Sequence, residues 1–295
     1  MRIVVAGASG LIGTALVDGL RAAEHEVLRL VRRAPGKADE RGWDPPAGRL
    51  DDGALDGADA VVNLCGAPIA TRRWSHARRQ VLVDSRVEPT EVLAAQVAER
   101  SIPLLVNACA AGYYGDKGDA VVEETAPRGT GFLADLCRDW EAATHRATEA
   151  GARVVRLRTG HVLAARGGLV GMMKPLFKLA LGGRLGNGKQ YMPWIHVADQ
   201  VAAIRYVIEH DAVSGAVNVC APNPVTNAEF TAAFGRAVNR PAPWFAPAPA
   251  LKLAVGDSDG EALYSQRMVP AVLSANGFTH RYETVDETLS ALLKR

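Results

Sequence analysis

Two valines running into three glycines at strict three-residue spacing constrain this chain more than any other feature: "VVAGASGLIG" fills residues 4–13. Residues 2–6 (RIVVA) are a short apolar run of the kind a buried strand needs. From Leu11 to Ala23, apolar residues recur at Leu11, Ile12, Ala15, Leu16 and Leu20, which is helical spacing. Strand, glycine triplet and helix in that order give the glycines a joint purpose. Gly7 permits a tight turn out of the strand, Gly10 lets a pyrophosphate approach the backbone, and Gly13 lets the helix pack on the sheet. Phosphates then rest on the free N–H groups of the helix N-terminus, in a cradle of Gly7, Ser9, Gly10, Leu11, Ile12 and Gly13. The bland alternative is a turn whose glycines serve packing alone. Position at the first strand of a βαβ unit favours the dinucleotide site.

Alternation continues beyond the triplet. Strands are expected at 26–31 (EVLRLV), 58–66, 103–109 and 153–158, and helices at 74–100 and 135–150. Pro89 lies inside the first of these helices, so a kink or restart is expected there. The pattern predicts an α/β fold: a Rossmann-type doubly wound parallel sheet with a small C-terminal α/β domain. Residues 1–163, with 192–222 returning to it, form the expected dinucleotide-binding unit. Residues 164–191 and 223–295, rich in glycine turns and proline clusters, form the expected small substrate unit.

Composition narrows the partners. With 34 basic and 32 acidic residues among 295, the net charge is +2, which calls for neither nucleic acid nor an anionic membrane. The opening run is broken by glycines and lacks a cleavage pattern, so it is not read as a signal peptide. No apolar stretch is long enough for a membrane span. Four scattered cysteines without a CxxC fit reduced thiols in the cytoplasm and no metal site. A small molecule is the expected partner, and the oligomeric state stays open between monomer and homodimer.

The end of the second strand speaks to the cofactor. An NAD enzyme places Asp or Glu there to accept from the adenosine ribose. This chain reads Val31-Arg32-Arg33. A missing acid together with guanidinium groups is the chemistry of a 2′-phosphate, hence NADP; the alternative is two solvated loop arginines.

Longer motifs are more specific than the glycines: "DAVVNLCGAPIATRRW" (59–74), "AAGYYGD" (110–116), "FLADLCRDWE" (132–141), "RLRTGHVLA" (156–164), "GGRLGNGKQYMPWIHVAD" (182–199) and "SQRMVPAVLSANGF" (265–278). In that order they resemble the extended short-chain dehydrogenase/reductases, specifically the atypical "epimerase family" branch with a small C-terminal domain of the DUF1731 type. The resemblance runs nearly end to end. It implies an NADP-binding Rossmann fold and a sugar-nucleotide-epimerase-like architecture, with no assigned substrate.

It also implies where chemistry belongs. Ordinary members use a Tyr and a Lys four apart on the helix after the fifth strand. Here those positions fall on Leu133 and Cys137, and neither side chain can replace them. The literal Tyr113–Lys117 spacing sits in a Gly- and Asp-rich turn and is read as coincidence, since residues four apart share a face only on a helix. Tyr113 or Tyr114 is the remaining candidate proton donor, with packing over the cofactor as the alternative. Cys109 falls at the serine position, as a weak donor or a buried small hydrophobe. Leu64, Cys65 and Gly66 fall on the adenosine side, Arg86 where relatives place an Asn near the nicotinamide ribose, and Arg158, Thr159 and Gly160 beside the nicotinamide. Gln190, Trp194 and His196 fall toward the substrate cleft, His196 with a structural alternative. Arg72, Arg73, Arg78 and Arg79 around Trp74 read as a solvated face or as a lid over phosphates. Two functions remain: an NADP(H)-dependent oxidoreductase or epimerase, and an NADPH-binding sensor without turnover.

Overall fold

The structure, a computed structural model, describes residues 1–69, 72–249 and 260–293. Residues 250–259 and 294–295 of the expected C-terminal unit therefore lie outside the described residues, as do 70–71 of the fourth-strand motif.

The chain enters as β1 (Arg2–Ala6), α1 (Leu11–Ala22) and β2 (Glu26–Val31), followed by β3 (Glu40–Asp44) and β4 (Arg49–Leu50). Next come β5 (Ala60–Asn63), α2 (His76–Glu99), β6 (Leu104–Ala110), β7 (Val121–Val122), α3 (Phe132–Ala142), α4 (His145–Glu149) and β8 (Arg153–Thr159). The remainder supplies β9 (His161–Leu163), α5 (Gly168–Lys178), β10 (Gly183–Leu185), β11 (Tyr191–Met192), β12 (Trp194–His196), α6 (Val197–Glu209), β13 (Gly215–Val219) and α7 (Asn227–Val238). The main sheet has the order β13-β8-β6-β5-β1-β2-β3-β4. All neighbours pair in parallel except β3 with β4. Order reverses between β1 and β5, and the crevice outside their carboxyl ends is where such sheets bind ligands.

Both faces are covered. Ile3, Val5, Leu16, Leu20, Val62 and Ile204 pack α1 and α6 on one side. Val4, Leu30, Val61, Leu93 and Val97 pack α2 on the other. A third core built on Phe177, Trp194, Phe230 and Phe234 belongs to α5, α7 and the terminal helix Val285–Leu293.

Expectations at two helices are refined. Of the kink or restart expected at Pro89, the restart is absent: helix α2 is continuous from His76 to Glu99. Buried residues on both sides of the proline, Leu82 and Arg86 before it and Thr90 and Leu93 after it, hold both halves in place, and the Thr90 hydroxyl bonds to the Arg86 carbonyl at 2.7 Å. The expected helix 135–150 is two, because the Thr144 hydroxyl takes the Glu141 carbonyl at 2.7 Å and competes with the helical ladder. The β3–β4 hairpin was not anticipated from the sequence.

Candidate functional site

The glycine turn is built as its spacing requires. Gly7 has φ +77°, and a Cβ there would meet the Leu64 carbonyl carbon at 2.7 Å, so only glycine lets β1 turn beside the end of β5. A Cβ on Gly13 would lie 2.2 Å from the Gly7 oxygen. Gly10 caps α1 with no side-chain hydrogen bond, and Ser9, Gly10 and Leu11 are exposed. The first-turn N–H groups of a twelve-residue helix thus lack a side-chain cap at an exposed turn, which fits a pyrophosphate.

On the β2 side, the two adjacent arginines part. Arg33 forms a double hydrogen bond to Glu40, at 2.6 and 2.9 Å, and that contact, with the Gly36 N–H, holds the Glu40 carboxyl down at about 2. Arg32 is exposed, among the described residues no hydrogen bond or ion pair holds its side chain, and its charge acts on Cys65 at the end of β5. Burial pushes the Cys65 thiol up to about 12, against the pull of Arg32. The structure therefore brings Arg32 toward Leu64–Gly66 and commits Arg33 elsewhere. An open groove of about 660 Å³ adjoins them, with Trp43, Asp44, Arg49 and Arg100 in its walls.

On the β6 side, a short 3-10 turn (Ala111–Tyr114) carries both tyrosines. Tyr114 is fully buried; its hydroxyl donates to Asn218 Oδ1 at 2.6 Å and accepts from Arg158 at 3.1 Å. Burial raises its pKa, against the pull of Arg158 and Asn218. Arg158 is held by both Glu141 oxygens, at 2.8 and 3.0 Å, and stacks 3.5 Å from the Tyr113 ring centroid. Tyr113 is half-buried, and among the described residues no hydrogen bond engages its hydroxyl. Cys109 is buried, its thiol raised well above the ordinary range by burial. Leu133 and Cys137 stand over Gly112, 3.1 and 3.6 Å from where its Cβ would be. The helix face expected for Tyr and Lys therefore does meet the turn, but with an apolar group and a thiol. Arg86 reaches from α2 to the Ala67 carbonyl at 3.0 Å and lies against Gly66. At the end of β8, Thr159 turns its hydroxyl back to the Leu157 carbonyl, and Gly160 packs on Pro193, with no room for a Cβ.

The outer candidates have local partners. Gln190 donates to the Leu185 carbonyl at 3.0 Å. Trp194 is 1% exposed and lies in the third core. His196 caps α6 through Nδ1, accepting from Ala198 N–H, and stacks on Tyr282 at 3.9 Å; burial lowers its pKa. Each of the three is thus engaged by neighbouring residues. Of the basic run, Arg78 donates to the Pro68 carbonyl and Arg79 covers the Phe132 ring, leaving Arg72 and Arg73 exposed. Among the described residues, no cluster of His, Cys, Asp and Glu is suited to a metal, and no helix is long and apolar enough to cross a membrane.

Sequence reasoning missed the polar layer beneath the cleft. Asn63 on β5 donates to Thr90 (2.9 Å) and to Asn107 on β6 (2.8 Å), while Trp140 on α3 donates to Thr90 (3.1 Å). An asparagine after three apolar residues in each of two strands, "AVVN" and "LLVN", was the available signal.

Comparison with known proteins agrees with this geometry. The profile of the NAD dependent epimerase/dehydratase family matches residues 3–220, and a domain of unknown function, DUF1731, matches 246–292. An epimerase family protein of Mycobacterium bovis is 53% identical over 288 residues, covering 97% of this chain and 96% of its own. The human epimerase family protein SDR39U1, whose crystal structure holds NADPH, superposes with a TM-score of 0.92 at 32% identity over the full length of both chains. A nucleoside-diphosphate sugar epimerase from Corynebacterium glutamicum gives 0.82 at 35% identity, covering 99% of this chain and 58% of that one.

Proposed function

This chain belongs to the NAD dependent epimerase/dehydratase family, and from that premise we propose that it is an NADP(H)-dependent oxidoreductase or epimerase acting on a small hydroxyl or carbonyl compound, nucleotide sugars included. One observation carries the cofactor reading: an uncapped α1 N-terminus behind the glycine turn, with the free guanidinium of Arg32 where an NAD site needs an acid. The human relative holds NADPH, which supports the same choice here. Ser9, Gly10, Leu11 and Ile12 would hold the pyrophosphate, Arg32 the 2′-phosphate, and Leu64–Gly66 the backbone wall beside them.

Bound NADP(H) supplies or takes a hydride. The remaining work falls to this chain's own groups. Tyr113 is the proton donor of choice, because its hydroxyl is uncommitted whereas that of Tyr114 is spent on Asn218 and Arg158. The Arg158 guanidinium beneath the Tyr113 ring fixes the ring's orientation. Cys109 keeps its proton and packs the floor. Residues 1–163 with 192–222 would bind the cofactor, and 164–191 with 223–295 would close over the substrate.

A sensor that binds NADPH without turnover is the second reading, favoured by Leu133 and Cys137 on the α3 face. NADPH consumption against a panel of small carbonyl compounds and nucleotide sugars separates the two. Turnover abolished by Tyr113→Phe with cofactor binding retained supports the enzyme; tight NADPH binding with no turnover across the panel supports the sensor.

A further inference from the structure

Two buried arginines flank α3, and they differ in one respect. Arg158 is neutralised by both oxygens of Glu141. Arg86, 7% exposed, is bonded to neutral groups: Nη1 donates to the Leu82 carbonyl at 3.0 Å and lies 3.4 Å from Ser85 Oγ, and Nη2 donates to the Ala67 carbonyl at 3.0 Å. The indole of Trp140 covers it at 5.1 Å. Among the described residues, no carboxylate forms an ion pair with it. Burial lowers its pKa to about 10, which leaves it charged at neutral pH. A buried charge without a counter-ion is costly, and it biases whatever binds beside it.

The sheet order says what binds there. With the pyrophosphate on α1 and Arg32 marking the adenosine side over β2, an extended dinucleotide runs the opposite way, over the carboxyl ends of β5 and β6. Arg86 sits at that end: the Trp140 ring of α3 covers its guanidinium, and Leu133 and Cys137 of the same helix stand over Gly112 in the turn that carries Tyr113.

We propose that Arg86 makes the site selective for the reduced cofactor, because an uncompensated guanidinium beside the nicotinamide end opposes the cationic ring of NADP+ and not the neutral ring of NADPH. The idea rests on the dinucleotide reading above and deepens it. The adenosine half, pyrophosphate and ribose are common to both forms, so their affinity ratio isolates the charge on the ring. A chain of this kind loads with NADPH from a mixed pool and sheds NADP+, which suits a reductive direction or a reader of the NADPH/NADP+ ratio equally.

The test is direct titration of the full chain with NADPH, by its fluorescence, and with NADP+ by competition. Wild type is expected to hold NADPH about tenfold tighter or more; tenfold corresponds to ~1.4 kcal/mol and to ~30 mV in the bound two-electron couple. Arg86→Gln should bring the ratio near one. Ser85→Asp keeps the guanidinium and sets a carboxylate beside it, and should also shrink the ratio. Equal wild-type affinities overturn the inference, as does a ratio unchanged in Arg86→Gln. Should that variant fail to fold, an unchanged ratio in Ser85→Asp overturns it instead. Failure of wild type to bind either form removes the dinucleotide reading itself, an outcome distinct from equal binding.

Discussion

Arg32 and Arg33 are neighbours of identical chemistry, and the fold makes them unequal. Glu40, brought alongside by β3, occupies Arg33 and leaves Arg32 free. A charge-assisted phosphate contact is worth about 1.5–3 kcal/mol, or roughly 10- to 150-fold in affinity. Arg32→Ala should therefore lose most of a preference for NADP(H) over NAD(H), by weakening NADP(H) alone, and Arg33→Ala should lose little of it. Calorimetric titration with both cofactors decides; equal losses in the two variants would refute the division of roles. Gly10 has room of its own, since an added Cβ would find only the Gly7 oxygen, at 3.4 Å. Gly10→Val should accordingly leave a cooperatively melting protein that no longer binds dinucleotide, and unchanged affinity in that variant would count against the cradle.

At the scale of elements, what was legible was what is local. β1, α1 and β2 announce themselves because an apolar run, a glycine turn and a helical period are written in adjacent residues. The β3–β4 hairpin is not, since "ERGWDPPAGRL" is rich in charge, glycine and proline and offers Trp43 as its one large buried group. The hairpin's place owes much to an ion network of Arg21, Arg29 and Arg33 with Asp39 and Glu40, a pairing that exists only once β2 and β3 align. Hydrogen bonds from Arg29 to Asp39 and from Arg33 to Glu40 hold both carboxyls down at about 2. Their stabilisation is complete above the ordinary carboxylate range near ~4 and disappears as pH falls from there toward about 2. Thermal melts from neutral pH downward should show a wild-type loss in that window that is smaller in Glu40→Gln. The layer beneath the cleft was equally hidden, because Asn63, Thr90, Asn107 and Trp140 meet from four elements. Thr90→Val keeps the shape but strips an acceptor from Asn63 and Trp140. It should cost about 2–3 kcal/mol, read from denaturant midpoints; a loss below about half of that would mean the layer has repaired itself.

Across the whole molecule, the C-terminal segment grips the side of the sheet that carries the tyrosine turn. "SQR" at 265–267 was legible as part of a family motif, but its task was not, because its partners lie some 150 residues away. Glu261 accepts from the Phe132 and Leu133 N–H groups at 2.6 and 2.8 Å, placing a carboxylate on the positive end of α3. Gln266 donates from one amide nitrogen to the Ala111 and Gly115 carbonyls, at 2.9 and 3.1 Å, bracketing the turn that carries Tyr113 and Tyr114. Ser265 binds the Gly118 carbonyl through its hydroxyl and Asp116 through its N–H, and its own carbonyl takes the Lys117 N–H. The tyrosine turn is thus positioned by Ser265 and Gln266 from far along the chain, while the glycine turn at α1 is built from residues 7–13 beside Leu64. Gln266→Ala should separate the two. Loss of two hydrogen bonds to a neutral amide costs about 1–2 kcal/mol, and hydrogen exchange should quicken at Gly115 and Lys117 but not along α1. Dinucleotide affinity should stay within about twofold, well inside ~1.4 kcal/mol per tenfold. If the enzyme reading holds, kcat falls with little change in the KM for NADPH, because the turn presents Tyr113 less often in its working position. Exchange that quickens equally in α1, or cofactor affinity that falls with the turn, would show that Gln266 supports the fold as a whole rather than the tyrosine turn.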